Sequence, residues 1–556
     1  MWPSFTPAVI ALSTLTLLTA ACGGGGEGTG GGDPTTGGGG QGAGGGGEGG
    51  VGAAGGAGGA GGGSTGGGGM GGMIEVGPDA TIESLGDADK VLLKGWLLTP
   101  SESFAGEVLI VGDTIVCADV DCSTEPQAQT ASVVQTNGII LPGMIDTHNH
   151  INFNIFDGDD WSPDAVYDNH DDWGPQIPRY NAMLDAKQYM SGEIWMTGMD
   201  SPIDLSCELV KYGEVKGLVA GTTAIAGGGR PANKVCYRTL IRTIDQSANA
   251  LCFDGTPTSC PDPVQVATLF PSDGDSICSN FTAGTTEAFL VHIGEGTDQA
   301  ARDELADLAA AGTAECLLAP QTTIVHGTAF QDAEFDILAQ HGMSLSWSPR
   351  SNVFLYGGGT DLSATTDIPL ALSKGIRVAL SPDWSIGGSV NLLEELKFAD
   401  LVDNSEWGDS LTPQMLVEMV TKNAAEVLSF GDQIGQLAPG FKADVTVIGG
   451  DPNLPYASVV AATPNHVRMV FVGGKLLYGD DQLEALAPAN PGCEALDICG
   501  RNKFVCVAAP GGTTSNLWGQ TLAEIVSSIE TELTAFDALD VSQWDFMPIA
   551  PLTVCP

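Results

Sequence analysis

From about residue 80 onward, short apolar runs bounded by turn residues alternate with polar stretches. Runs of this length and composition predict β-strands. One group of runs lies before residue 143 and a second lies between residues 442 and 479, so we expect both groups to form a small β unit. The runs are VLLKGWLLTP, GEVLIVGDTIVCADV, SVVQTNGIILPG, KADVTVIGG and VRMVFVGGKLLYG.

The long stretch between the two groups alternates apolar strands with helical segments. The strand candidates are GTTAIAGG, AFLVHIGE, TTIVHGTAF, MSLSWSP and RVALSPDW. Helical candidates fall between them at DQAARDELADLAAAG, QDAEFDILAQHG and NLLEELKFADLV. This alternation predicts an α/β protein with βα units around a parallel sheet. The length of the stretch favours a (β/α)8 barrel of the TIM type over a doubly wound sheet.

The same patterns predict where the domains begin and end. Residues 141–430 form the predicted barrel, and residues 76–140 and 431–484 form the two parts of a flanking β-sandwich. Residues 485–556 are a C-terminal extension with one amphipathic helix, GQTLAEIVSSIETELTAF. We expect disulfides to hold this extension through Cys493, Cys499, Cys506 and Cys555.

The N-terminus predicts export from the cytoplasm. The apolar run AVIALSTLTLLTAA within residues 1–21 resembles a secretory signal peptide, and it is shorter than the about 20 residues of a transmembrane helix. The segment Thr-Ala-Ala-Cys resembles a bacterial lipobox, which predicts lipidation of Cys22. Residues 22–75 are dominated by glycine, cannot bury much apolar surface, and predict a disordered tether. We expect a protein of the bacterial cell envelope, lipid-anchored in the periplasm or at the surface, or secreted.

Cysteine content and charge narrow the compartment and the partners. Of the 13 cysteines, an even number remains after Cys22, which suits disulfides in an oxidising compartment. The spacings Cys117/Cys122 and Cys252/Cys260 predict local disulfides. The net charge of −47, from 68 acidic and 21 basic residues, repels nucleic acid and anionic membrane surfaces. We therefore expect a small-molecule substrate, no nucleic acid, and membrane contact only through the lipid anchor; the oligomeric state is not predicted.

Four of the seven histidines lie at the ends of predicted strands, in LPGMIDTHNH, FLVHIGE and TIVHG. They are His148, His150, His292 and His326, and VALSPDW adds Asp383. The carboxyl ends of barrel strands converge on one face, so residues distant in sequence are expected to meet there. Because imidazole is the commonest protein ligand for transition metals, these segments predict a metal site.

The spacing of these residues suggests separate chemical roles. His148 and His150 are two apart at a strand end, so both can bind one ion. His292 would add a nitrogen and Asp383 an oxygen, which leaves a position for water; a bound divalent ion lowers the pKa of that water, to about 7 in favourable zinc sites. Glu295 lies just beyond its strand, where it could pass a proton from water to a leaving nitrogen. We expect His326 to polarise the bond under attack or to orient the nucleophile.

Together the segments resemble the amidohydrolase superfamily, which comprises metal-dependent hydrolases on a (β/α)8 barrel with a flanking β-sandwich. LPGMIDTHNH resembles the first-strand signature, HIGE the fifth-strand His-x-x-Glu, TIVHG the sixth-strand histidine and SPDW the eighth-strand aspartate. The resemblance covers about residues 85–480. His-x-x-Glu is similar to the mononuclear branch, which includes cytosine and guanine deaminases, triazine hydrolases and imidazolonepropionase.

The resemblance implies a cofactor and assigns roles to residues. It implies one divalent ion, zinc or alternatively iron, with four ligands: His148, His150, His292 and Asp383. It implies that Glu295 is the proton shuttle, that His326 is the catalytic histidine, and that Asp383 serves in catalysis as well as in metal binding. SPRSN resembles a Pro-x-Ser-Asn segment that lies near the substrate in some deaminases, which implies substrate contacts for Arg350, Ser351 and Asn352.

The predicted function is hydrolysis of non-peptide carbon–nitrogen bonds, by deamination of an aminated heterocycle or by opening of a cyclic amide. One alternative is a binuclear amidase or dipeptidase with a carboxylated bridging lysine, for which Lys234 is the only candidate between Lys216 and His292. Another is a non-catalytic surface lipoprotein that binds metal or substrate, although pure binding does not require Glu295.

Two departures from the family pattern leave the substrate open. SPDW replaces the more usual Gly-Thr-Asp, and the first-strand loop is longer than in typical nucleobase deaminases. The Asp-rich stretch 157–172 lacks the spacing of a twelve-residue calcium loop, so we expect a solvated acidic loop. Within it, we expect His170 to be a solvated or core histidine.

Overall fold

A computed structural model describes residues 77–174, 176–194, 203–227, 240–245, 264–267, 271, 273–488, 493–508, 519–539 and 543–555. The predicted signal peptide, the glycine-rich tether, Cys22 and Lys234 lie outside these residues, so what the sequence predicts for them stays a prediction. None of the helices in the described ranges combines the length and apolar composition that a membrane span requires.

The secondary structure follows the predicted alternation. The strands are β1 (Thr81–Ser84), β2 (Asp87–Leu98), β3 (Ser103–Val111), β4 (Thr114–Asp119), β5 (Ala131–Pro142), β6 (Met144–Asp146), β7 (Thr222–Ile225), β8 (Arg242–Thr243), β9 (Val264–Ala267), β10 (Ala288–Ile293), β11 (Thr322–His326), β12 (Ser344–Trp347), β13 (Arg377–Leu380), β14 (Val445–Ile448), β15 (Val467–Val472), β16 (Lys475–Asp480), β17 (Cys493–Ile498) and β18 (Arg501–Cys506). The α-helices are α1 (Pro178–Met190), α2 (Ser206–Leu218), α3 (Gly274–Ala283), α4 (Gln299–Ala310), α5 (Asp332–His341), α6 (Pro349–Tyr356), α7 (Ile368–Ser373), α8 (Leu392–Val402), α9 (Pro413–Met419), α10 (Lys422–Val427), α11 (Pro455–Ala461) and α12 (Leu522–Asp537).

Strands from the two ends of the chain pair in one ten-stranded sheet, in the order β17-β18-β16-β15-β14-β5-β2-β3-β4, with β1 paired to β5. The two groups of runs meet where β5 and β14 pair antiparallel, with Pro142 opposite Val445 and Ile139 opposite Ile448. The expected union of N- and C-terminal strands is therefore present. Their arrangement as a two-layer sandwich stays a prediction.

The middle of the chain forms two parallel sheets, one of three strands (β6-β7-β8) and one of five (β9 to β13). Every residue of β10 and β11 is buried, which is typical of parallel strands covered on both faces. The sheets meet where β6 and β13 end: the Asp383 amide donates to the His148 carbonyl (3.2 Å), and the His150 amide donates to the Asp383 carbonyl (2.6 Å). The predicted α/β fold with parallel strands is confirmed.

The helices that flank the parallel sheets begin and end at residues suited to those positions. Asp298 caps α4 by accepting from the Ala301 amide, and Asn391 caps α8 by accepting from the Glu394 amide. Gly342 ends α5 in the left-handed conformation, with φ of 67°. These short-range signals explain why the helices between the strands were predictable from sequence.

The C-terminal extension packs against the helical layer as well as extending the large sheet. From α1, the Tyr189 ring packs against Phe536 of α12, with ring centroids 5.9 Å apart. From α2, the Tyr212 hydroxyl donates to the Ala550 carbonyl (2.6 Å) and Glu208 accepts from Gln520 (2.7 Å). The extension is therefore part of the folded body rather than an independent tail.

Disulfides are present as the cysteine content predicted. Cys117–Cys122 closes the predicted local loop. Two bonds hold the extension, Cys493–Cys506 and Cys499–Cys555. A further bond joins Cys278 to Cys316, a pairing that the sequence analysis did not propose. The predicted Cys252–Cys260 pair lies outside the described residues.

Candidate metal centre and active site

Four strand ends bring the predicted ligands and His326 together, as expected from the barrel pattern. Nε2 of His148 lies 2.8 Å from Oδ1 of Asp383 and 3.2 Å from Nε2 of His292. Nε2 of His150 lies 3.4 Å from the same Asp383 oxygen. The potential ligand atoms fall into two overlapping groups, each spanning at most 4.8 Å: one comprises His148, His150 and His292, and the other comprises His148, His326 and Asp383.

The backbone at this cluster adopts conformations that side-chain-bearing residues rarely take. His326 and Asp383 have φ of 68° and 67°, in the left-handed region. Such conformations cost free energy and are concentrated at functional sites. Here they turn the chain at the ends of β11 and β13, where the two side chains join the cluster.

Burial keeps the imidazoles of His150 and His292 neutral, whereas the neighbouring imidazoles keep the carboxyl group of Asp383 ionised. Desolvation lowers the pKa of His150 to about 4 and holds the pKa of His292 well below its usual value. For Asp383, burial alone would raise the pKa, but the His148 hydrogen bond and the nearby imidazoles outweigh it and lower the pKa. Neutral imidazole and ionised carboxylate are the forms that bind a metal ion.

Hydrogen bonds fix how the ligands point. Nδ1 of His292 donates to the Ala267 carbonyl (3.1 Å), so its Nε2 faces the cluster with a free lone pair. The Ser351 hydroxyl donates to Oδ2 of Asp383 (2.5 Å) and leaves Oδ1 toward the histidines. Two Nε2 atoms and one carboxylate oxygen therefore point at the same small space. The donor set and its geometry fit a divalent metal ion.

Glu295 lies at the edge of the cluster, two residues beyond β10. Its side chain is buried; Oε1 accepts from the Tyr356 hydroxyl (2.9 Å), and Oε2 lies 3.9 Å from Nε2 of His326. Nδ1 of His326 is 3.1 Å from Oδ1 of Asn352, which leaves Nε2 on the side of Glu295. A carboxylate and an imidazole thus share one side of the site, where proton transfer to a bound molecule is feasible.

Helix α6 supports the cluster through one of its faces. Ser351 contacts Asp383, Asn352 contacts His326, and Tyr356 contacts Glu295. Asn352 and Tyr356 are four residues apart and therefore lie on one face of the helix. Sequence reasoning missed Tyr356, although this spacing from the predicted Asn352 was available.

Arg350 lies on another side of the same helix. Its guanidinium packs over the Phe398 ring at 5.1 Å and approaches Glu394 at 4.0 Å. No described contact links it to the histidines. Substrate contacts by Arg350, Ser351 and Asn352 stay predictions, and for Ser351 and Asn352 the observed contacts are with cluster residues.

The sequence that forms this site is similar to sequences of known hydrolases. Residues 281–477, which include His292, Glu295, His326 and Asp383, match the amidohydrolase family. In this segment the chain is similar to the amidohydrolase family. The chain is 24% identical over 432 residues to 5'-deoxyadenosine deaminase of Methanothermobacter thermautotrophicus, an alignment that covers 72% of this chain and 96% of the relative.

Solved structures share the amidohydrolase fold. An adenosine deaminase from Xanthomonas campestris with bound zinc superposes with a TM-score of 0.53 at 16% identity, covering 69% of this chain and 92% of that one. Atrazine chlorohydrolase from Arthrobacter aurescens, complexed with zinc, superposes with a TM-score of 0.51 at 17% identity, covering 72% and 96%. At these identities the likeness establishes the fold.

Proposed function

We propose that this protein is a metal-dependent deaminase that replaces the exocyclic amino group of a small heteroaromatic ring by oxygen. The observation that carries the proposal is the placement of the buried Glu295 carboxylate beside both the ligand cluster and His326. Similarity to a deoxyadenosine deaminase along almost the whole length of that relative supports the reaction class. A protein that only binds its ligand would not require a carboxylate at this position.

We assign the metal ligands as His148, His150, His292 and Asp383, holding one ion. Zinc is the preferred ion because both zinc-containing structures share this fold, and iron is the alternative. The ion would supply Lewis acidity and a water of lowered pKa. His326 is left out of the ligand set because its Nδ1 faces Asn352 and its Nε2 faces Glu295.

The remaining chemistry is assigned to side chains of the protein. Glu295 accepts a proton from the attacking water and delivers it to the departing nitrogen, so that a carbon–oxygen bond forms, the carbon–nitrogen bond breaks and ammonia leaves. His326 orients the substrate and stabilises charge that develops opposite the nucleophile. Asp383, held by Ser351, binds the metal and can accept a hydrogen bond from the attacking water.

We further propose that β6 to β13 close into a (β/α)8 barrel, with the large sheet folded into a flanking sandwich. The junction between β6 and β13 supports closure on one side. The opposite edges, β8 and β9, are separated in sequence by residues 244–263, of which 246–263 lie outside the described residues.

We propose that the protein works outside the cytoplasm, held by a lipid on Cys22 through the glycine-rich segment 22–75. The predicted signal peptide and lipobox support this placement. Disulfides in the folded part agree with an oxidising compartment. Globomycin treatment of expressing cells should cause unprocessed precursor to accumulate; unchanged processing would exclude lipoprotein maturation.

The assay for the proposed function measures ammonia and acid release in parallel from the zinc-loaded protein. Substrates are 6-aminopurine nucleosides, aminotriazines and cyclic amides. Ammonia release from an amino heterocycle supports the proposal, whereas acid release from cyclic amides alone would replace deamination by ring opening.

The decisive variant is Glu295→Gln, with exposed Glu315→Gln as the control. Loss of the proton shuttle should lower kcat by about 10²- to 10⁴-fold while metal content stays unchanged. Full activity in Glu295→Gln would refute the assigned mechanism.

A further inference from the structure

The acidic loop, residues 157–173, is docked onto the turn that carries Glu295. The Thr297 amide donates to the Asp168 carbonyl (2.7 Å), and Asn169 pairs with Gly296 in an isolated antiparallel bridge. The Asn169 side chain also donates to Asp298 (2.8 Å), the residue that caps α4. The expected solvated loop is therefore anchored at its C-terminal end.

His170 makes the most buried of these contacts. Its side chain is 9% exposed and is hydrogen-bonded through Nε2 to Oε1 of Glu304. The second oxygen of Glu304 accepts from the Gly294 amide (2.7 Å). The His170 amide donates to the Glu295 carbonyl (3.1 Å). His170 is thus linked to the backbone on both sides of the Glu295 side chain. It reaches the Gly294 amide through Glu304, and it contacts the Glu295 carbonyl directly.

The charge of His170 suits this position. Burial opposes protonation, but the hydrogen bond to Glu304 and the nearby Glu295 and Asp171 carboxylates prevail and raise the pKa to about 9. At neutral pH the imidazolium offsets buried negative charge next to the turn. A neutral side chain at this position would leave Glu304 as a buried carboxylate without its counterion.

The acidic loop also supports the Glu295 side chain. Trp173 Nε1 donates to the Tyr356 hydroxyl (3.3 Å), and that hydroxyl donates to Oε1 of Glu295 (2.9 Å). Oε1 is thereby occupied, which leaves Oε2 as the oxygen that faces His326. Backbone and side chain of Glu295 are therefore held from the same loop.

The turn itself needs such support because its sequence allows wide conformational freedom. Gly294 has φ of 72°, and a Cβ at this position would lie 2.5 Å from the Phe330 ring, so only glycine fits. Glycine next to a functional carboxylate permits many orientations in the absence of external contacts. Misplacement of a reacting group by about 1 Å can lower a rate by about 100-fold.

We propose that His170 and Glu304 are positioning residues that hold Glu295 in its proton-transfer orientation, with Trp173 and Tyr356 holding the carboxylate. The inference rests on the proton-shuttle role proposed for Glu295. It gives the unusually long first-strand loop a function: it is a support for the catalytic turn.

The test compares His170→Leu and Glu304→Gln with Asp303→Asn, an exposed neighbour on α4. The two test variants should lower kcat about 10- to 100-fold, keep KM within about twofold and retain the metal. The double variant should be no slower than the worse single variant, because both changes break one contact. His170→Gln, whose amide can still donate toward Glu304, should recover part of the lost kcat.

Two further measurements keep the proposal falsifiable if a buried variant folds poorly. Tyr356→Phe removes one hydroxyl and should lower kcat about tenfold, with Tyr456→Phe unchanged. Hydrogen exchange of the Gly294 and Thr297 amides should accelerate in Glu304→Gln, with or without metal. Wild-type kcat and exchange in folded His170→Leu and Glu304→Gln would overturn the proposal.

The outcomes separate this inference from the proposed function. If Glu295→Gln retains turnover, the proposed function itself fails. If Glu295→Gln is inactive but His170→Leu and Tyr356→Phe behave like their controls, only the positioning role fails.

Discussion

Two largely buried groups of polar residues in this protein balance their charges in opposite ways. The first is the histidine cluster at the strand ends, His148, His150, His292, His326 and Asp383. The second is an ion cluster in the large sheet, formed by Arg468, Asp480, Arg501 and Lys503. Asp383 and Asp480 are both almost fully buried, at 3% and 1% exposure.

The ion cluster of the sheet pairs its central charges internally. Lys503 Nζ donates to Oδ1 of Asp480 (2.5 Å) and to the Val467 carbonyl (2.6 Å). Arg468 Nη1 donates to the Thr136 carbonyl (2.7 Å). Lys503 and Arg468 both donate to oxygen atoms, and the Lys503 charge is paired with the Asp480 carboxylate, as a buried ion requires.

The histidine cluster contains no comparable pairing of a carboxylate with a lysine or arginine. His148 and His292 bring two nitrogen atoms to 3.2 Å, and desolvation disfavours the extra proton that would make His292 a cation, which lowers its pKa. What remains is a group of lone pairs around one carboxylate oxygen. Burial of polar residues therefore does not by itself indicate a metal site. A metal site is indicated where several electron-pair donors converge and no positively charged side chain of the cluster pairs with them.

The largest expected effect is the loss of activity when the metal is removed, which should affect the histidine cluster and not the ion cluster. Dialysis against a strong chelator should reduce activity to background, because the donors lose the ion they share. The ion cluster needs no metal, so circular dichroism should still report a folded protein. Zinc should restore activity. Activity that survives verified removal of metal would contradict the claim that the histidine cluster needs an ion.

Matched aspartate variants should separate metal binding from stability. Asp383→Asn should abolish metal binding and turnover, because it removes the anionic ligand. Asp480→Asn should retain the metal but lower the free energy of unfolding by about 3–5 kcal/mol, since it leaves Lys503 buried without its counterion. Urea denaturation and metal analysis of both variants provide the measurement. If Asp480→Asn lost the metal and Asp383→Asn kept it, the assignment of Asp383 as the metal ligand would be wrong.

A smaller effect concerns the hydroxyl that holds Asp383. Ser351→Ala removes the donor to Oδ2 and should weaken metal affinity about tenfold, as expected for a group behind a ligand. Competition with a zinc chelator measures the change, and exposed Ser373→Ala serves as the control. Equal affinities in the two variants would mean that the Ser351 contact does not support the metal site.

The smallest effect is a pH dependence of stability due to His170, a third buried ionic contact. Its folded pKa of about 9 exceeds the usual 6.5, because Glu304, Glu295 and Asp171 face it. Its contribution should therefore be complete below about pH 6.5 and disappear as the pH rises through about 9. The difference in Tm between wild type and His170→Gln should shrink over that range; a constant difference would contradict the raised pKa.

The sequence was informative where local pattern determines structure. Helices such as α4, α5 and α8 contain their own capping residues or terminal glycine. The predicted metal ligands lie at strand ends, so their positions do not depend on the conformation of the loops. The convergence of His148, His292 and Asp383 followed from the geometry of parallel strands.

Contacts that depend on loop placement were not predictable. The face of α6 that meets the cluster depends on packing, so Arg350 and Tyr356 could not be sorted from the SPRSN segment alone. His170 lies within an acid-rich stretch whose composition suggests solvation, yet its partner Glu304 lies 134 positions away in the chain. Composition cannot report a contact of that range.

The most direct test of the central claim is the number of metal ions per chain, measured by mass spectrometry on zinc-reconstituted protein after excess metal is removed. We expect one ion per chain in the wild type and in Asp480→Asn, and none in Asp383→Asn. Two tightly bound ions in the wild type, or one ion that persists in Asp383→Asn, would contradict the mononuclear assignment.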